Sequence, residues 1–130
     1  MTRVEPAVAL SEIGQIAVNA HDLDRAIAFY RDALGMAHLF TVPKMAFFDC
    51  GGIRLMLGVA ENAEFDHPSS ILYFRVDDIQ AAHQALAARG VAFRNEPHLV
   101  AKLPDHELWM AFFGDSEGNT HALMSEIPRS

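Results

Sequence analysis

Cysteine is nearly missing from this chain. Cys50 stands alone, which excludes an internal disulfide and suits a reducing compartment. Basic residues are also scarce, 10 against 17 acids, for a formal net charge of -7. No basic stripe is available to displace counterions, so neither nucleic acid nor an anionic membrane surface is expected as a partner. No apolar run approaches the roughly 20 residues that span a bilayer. The opening Met-Thr-Arg-Val-Glu-Pro lacks the basic-then-apolar order of a signal peptide, and the expected location is the cytoplasm. What remains is an ordinary globular composition, 51% hydrophobic and 21% charged, in 130 residues, long enough to bury a core.

Residues 1–11 read as a loose arm. Alternation predicts a first strand over 12–19, with Ile13, Gln15, Ala17 and Asn19 on one face. Asp22 is placed to cap a helix whose stripe is Leu23, Ala26, Ile27, Tyr30 and Leu34, closed by Gly35. Short strands follow near 38–42, 45–50 and 53–58. Gly51-Gly52 supplies a hairpin turn, and Arg54 and Met56 share a face. The polar run 60–68 is the best linker. The pattern then restarts. A strand over 70–76 sets Ile71, Tyr73 and Arg75 opposite Leu72, Phe74 and Val76. Asp77 or Asp78 caps a second helix, in which Asp77 with Gln80 resembles a capping box. Strands near 91–94, 108–113 and 120–126 complete the chain, with a long connection over 95–107 and a frayed tail at 127–130. Trp109, Phe112 and Phe113 are expected in the core.

The two halves align. Asp22-Leu23 recurs 56 positions on as Asp78-Ile79, and Met45-Ala46-Phe47-Phe48 recurs 65 positions on as Met110-Ala111-Phe112-Phe113. The second half has therefore gained about nine residues, which fall in 95–107. That insertion is either a cover for a sheet edge or a functional loop carrying His98 and His106. The expected fold class is α+β: two tandem βαβββ modules forming curved mixed sheets around a cleft, with helices on the outer face. All 130 residues are read as one domain, with repeats at about 12–59 and 69–126.

Two motifs carry a family resemblance. They are Asp22-Leu23-x-x-Ala26-x-x-Phe29-Tyr30-x-x-x-Leu34-Gly35-Met36 and Phe113-x-Asp115-x-x-Gly118-Asn119-x-x-x-Leu123-x-x-Glu126. At this spacing, over the repeat, the chain resembles the vicinal oxygen chelate superfamily of glyoxalase I, bleomycin-resistance proteins and extradiol dioxygenases. Ser116 departs from the proline usual in the second motif. The resemblance implies a homodimer and, in metal-dependent relatives, ligands on the first and last strand of each half. Carried over residue by residue, those positions are Gln15, Arg54 (or Met56 after a two-residue slip), Ile71 and Ala122. Only Gln15 suits a hard divalent ion. No metal or other cofactor is therefore expected. The expected ligand-binding residues are Gln15, Asn19, Arg54, Tyr73, Arg75, His98 and His106, with Arg54 replacing the metal charge toward a carboxylate unless it or Arg75 pairs with an acid such as Asp49. His83 and His121 read as packed structural histidines, and His21 and His38 as solvated. The expected function is binding of a small molecule, with anions among the candidates, in a metal-free cleft. The alternatives are a lyase, isomerase or dioxygenase with a relocated metal site, and an assembly module without ligand chemistry.

Overall fold

The computed structural model describes residues 8–129; residues 1–7 of the expected arm lie outside the described residues, as does Ser130. The first half runs β1 (Gln15–Ala20), α1 (Leu23–Ala28), β2 (Ala37–Val42), β3 (Met45–Cys50) and β4 (Ile53–Val59). The second runs β5 (Leu72–Arg75), α2 (Ile79–Ala88), β6 (Ala92–Phe93), β7 (His98–Lys102), β8 (His106–Gly114) and β9 (Thr120–Pro128). The first sheet has strand order β1-β4-β3-β2. The second has order β5-β9-β8-β6, with β7 also paired to β8. In each, the first strand runs parallel to the last and the others are antiparallel, giving an α+β fold of two mixed sheets. No helix among the described residues is long and apolar enough to cross a membrane.

Local chemistry places the helices. Asp22 caps α1 by accepting from the Arg25 amide at 3.1 Å, and Asp78 caps α2 by accepting from the Ala81 amide at 3.0 Å. Asp78, not Asp77, is thus the cap, and the expected capping box at Asp77 does not form. After Ala28 the first helix widens into a π turn, Phe29–Ala33, in which the Leu34 amide donates to the Phe29 carbonyl. Gly35 and Gly90 then close the two helical segments with φ of 75° and 92°.

One face of each sheet packs on the helices. Val18, Ala20, Ala26, Tyr30, Phe48, Leu55 and Leu57 form one buried cluster, and Ile79, Val91, Ala111, Phe113 and Leu123 form the other. Phe29, Leu34 and Phe74 pack against both, so the halves share a core.

Several boundaries differ from the sequence reading. The 95–107 connection is not a loop: β7 lies antiparallel along β8, which starts at His106, and the insertion lengthens a β-hairpin. The tail is not frayed from residue 127, since β9 continues through Pro128 opposite His106, and the Arg129 amide donates to the Asp105 carbonyl. Phe112 is not in the helix-side core. It sits across from Ala122 on the opposite face, edge-on to Tyr73 at 6.0 Å.

Candidate functional site

The face of the first sheet turned away from the helices follows from its register. Gln15, Ala17 and Asn19 on β1 lie opposite Arg54, Met56 and Gly58 on β4, and Met45, Phe47 and Asp49 on β3 lie across from the same three. Alternation keeps all nine on one face. A groove of about 440 Å³ opens there. Its floor is Ala17, Asn19, Met56 and Gly58, one wall is the β2–β3 turn at Pro43, Lys44 and Met45, and the other is the strap 60–69, through Glu61, Phe65, His67 and Ser69.

The strap is tied down at its far end. Asp66 accepts from Asn19 Nδ2 at 3.1 Å and lies 2.7 Å from His21 Nε2; hydrogen bonds from these two hold its carboxyl below the usual carboxylate range. His21 is thus held by a hydrogen bond to the strap while its side chain stays half-exposed. Ser69 Oγ accepts from the Asn19 amide at 2.8 Å, and the Ser69 amide donates to Asn119 Oδ1 at 2.9 Å.

The second motif supports this end of the first half from behind. Glu117 is buried, and its carboxylate accepts from the His21 and Asp22 amides, each at 2.8 Å, and from Arg25 Nε, also at 2.8 Å. Burial alone would raise its pKa, but the Arg25 guanidinium, the Asp22 amide, the Ser116 hydroxyl and the His21 amide outweigh burial and hold it at about 2. Below lies a buried chain. The Tyr30 hydroxyl donates to Asp115 Oδ2 at 2.6 Å and stands 2.8 Å from His121 Nε2. With its own hydrogen directed at Asp115, the Tyr30 oxygen can only accept from His121 Nε2–H, which makes the unpartnered Nδ1 the lone-pair nitrogen. Burial pushes the His121 pKa down and the Tyr30 phenol far up. These groups hold the two halves together and are packed away from the groove.

The residues expected to bind ligand fall in three places. Asn19 lines the groove. Gln15 and Arg54 share its sheet face: Gln15 Nε2 reaches Met56 Sδ at 3.7 Å, and the Arg54 guanidinium stands 5.8 Å from the Phe47 ring centre. Tyr73 and Arg75 lie on the second sheet, where Arg75 pairs with Glu126 at 3.3 Å rather than with Asp49. His98 and His106 are on the lengthened hairpin. His98 Nδ1 lies 3.0 Å from the Glu96 carbonyl, and His106 lies 2.7 Å from Asp105 and 3.8 Å from Glu126. None of these last four lines the groove. Lys44, Glu61, Phe65 and His67 do, and the sequence reading passed over all four as binding residues. Their one local signal was a Pro43-Lys44 turn between two apolar strands.

Strand pairing settles the four positions implied for a metal. Ala17 and Phe47 both pair with Met56, and their repeat counterparts Tyr73 and Phe112 both pair with Ala122. Met56, not Arg54, is therefore the counterpart of Ala122. The set becomes Gln15, Met56, Ile71 and Ala122: one carboxamide, one thioether and two hydrocarbon side chains. These donors do not fit a hard divalent cation, which needs several oxygen or imidazole ligands. Among the described residues no group of three or more His, Cys, Asp or Glu is arranged to hold a metal elsewhere.

The model of the Glyoxalase/Bleomycin resistance protein/Dioxygenase superfamily matches residues 12–123. A glyoxylase-like domain-containing protein of Didymella fabae is 32% identical over 120 residues, 86% of this chain and 91% of that protein. Among solved structures, lactoylglutathione lyase from Agrobacterium tumefaciens aligns with a TM-score of 0.67 at 25% identity, over 88% of this chain and 93% of that one. A superfamily member from Sphaerobacter thermophilus aligns with a TM-score of 0.74 at 21% identity, over 90% and 98%.

Proposed function

We propose a function from one premise: the chain belongs to the Glyoxalase/Bleomycin resistance protein/Dioxygenase superfamily. On that scaffold the groove of the first half binds a small organic molecule, and it does so through side chains rather than through a metal. The observation that carries this reading is the groove itself. Its volume of about 440 Å³ is that of a small-ligand site, and Ala17, Pro43, Met45, Met56, Val59 and Phe65 give it a largely apolar lining. A few polar groups, among them Asn19, Lys44 and Ser69, would orient a ligand there. Arg54 and Gln15, farther along the same face, extend the site toward an anionic or oxygen-rich end.

The working unit is a homodimer. Phe40, Val42 and Met45 on the first sheet, Tyr73 on the second and Ile71 just before it are exposed in the single chain, an apolar surface that a second copy would cover. The cytoplasm is its place of work, in keeping with the unpaired, partly buried Cys50.

The test is a titration with N-phenyl-1-naphthylamine, an uncharged apolar dye, against the natural protein and Gly58→Phe. Gly58 lines the groove, and a Cβ there meets only Met56 Cε, at 3.5 Å, so the added ring projects from an undisturbed strand. The expected result is saturable binding by the natural protein, weakened at least tenfold in the variant at similar thermal stability. Equal binding by the two proteins, or none by either, would overturn the reading.

A further inference from the structure

Among the described residues, Lys44 is the one non-glycine residue with positive φ, at 68°. It follows Pro43 in the two-residue turn between β2 and β3, where a positive φ favours glycine or asparagine because a Cβ crowds the backbone. The next turn of the same meander, between β3 and β4, uses glycines at its two positive-φ positions, Gly51 at 61° and Gly52 at 87°. The fold thus solves one turn without strain and keeps a lysine in the other. The hydrogen bond that ties the Lys44 turn to β4 does not call for lysine, since it runs from the Val59 amide to the Lys44 carbonyl at 3.0 Å and any residue supplies that acceptor. What distinguishes this turn is its place, because Lys44 lines the groove. Strained residues concentrate where a side chain is needed at a ligand.

We propose that Lys44 is the charge-selecting residue of the groove, and that the site takes an amphipathic organic anion, an apolar body ending in a carboxylate, sulfonate or phosphate. This rests on the groove being the ligand site. Lys44 and Glu61 are the two residues of opposite formal charge in the lining, with His67 beside them. Glu61 sits on the strap with an ordinary backbone, whereas Lys44 is held at a conformational cost. The chain as a whole carries -7, so a local cation is what an anion needs in order to approach. Arg54, on the same sheet face, adds a second positive charge along the same surface.

The experiment compares two dyes that share one aromatic body, 8-anilinonaphthalene-1-sulfonate and uncharged N-phenyl-1-naphthylamine, on the natural protein, Lys44→Gln and Lys44→Gly. The natural protein is expected to prefer the sulfonate. Both variants should lower the ratio of sulfonate affinity to uncharged-dye affinity roughly three- to tenfold. Lys44→Gly should also melt about 2–5 °C higher, because glycine removes the strain. A lower ratio in a more stable protein is not what a merely structural lysine would give. An unchanged ratio in both variants, with the uncharged dye still bound, would overturn the role of Lys44 and leave the groove standing as a site. Failure of the natural protein to bind either dye would overturn both.

Discussion

Met56 and Ala122 occupy equivalent places in the two sheets, each directly across from an aromatic residue of the neighbouring antiparallel strand, Phe47 and Phe112. In a scaffold whose metal-dependent members are expected to draw a ligand from each half at this level, this chain offers a thioether and a methyl group. Met56 is thus an apolar part of the groove floor, with Lys44 and Glu61 on the walls and Arg54 farther along the same sheet face.

Glu117 is expected to dominate the acid stability of the first helix. Its folded pKa of about 2 lies below the ordinary 4.5, so its contribution is fully present above pH 4.5 and is lost as pH falls toward 2. Replacing it with Gln should lower stability at pH 7 by about 2–3 kcal/mol and flatten the melting temperature between pH 4.5 and 2. A variant that melts with the natural pH profile would show that the carboxylate on the His21 and Asp22 amides contributes nothing.

Tyr30→Phe should destabilise the chain by about 1–3 kcal/mol in urea unfolding. The hydroxyl serves two buried groups at once, as donor to Asp115 and acceptor for His121, and its loss leaves both short of a partner. A change below about 0.5 kcal/mol would mean that water replaces it freely.

Asp66→Ala should release the strap. With the tie to Asn19 and His21 gone, Phe65 and His67 lose their hold over the groove. Affinity for N-phenyl-1-naphthylamine should fall about three- to tenfold, on the order of one or two hydrogen bonds to a charged group, and limited proteolysis should cut sooner within 60–69. Unaltered affinity would remove the strap from the site.

Much of the fold was legible because its signals are local. Asp22 and Gly35, and likewise Gly90, announce helix ends through caps and positive φ. Met45–Cys50 carries enough apolar and aromatic side chains to be recognised as a strand alone. The rest depends on distant partners. Residues 95–107 hold two prolines and scattered charge, which reads as loop; β7 exists because β8 offers it an edge. The π turn at Phe29–Ala33 has no local signature. The metal positions of the first half turned on a two-residue ambiguity that only pairing with Ala17 and Phe47 removes. The groove wall was hidden for another reason: nothing in the residue type of Lys44 marks a positive φ, and the strap is polar enough to pass for a linker.

That the groove works through side chains alone is tested most directly by the metal content of the protein purified without chelator. Gln15, Met56, Ile71 and Ala122 predict well under about one tenth of an equivalent per chain of zinc, nickel, iron or manganese, for want of oxygen and imidazole donors. A full equivalent of any one of them, retained through gel filtration, would contradict it.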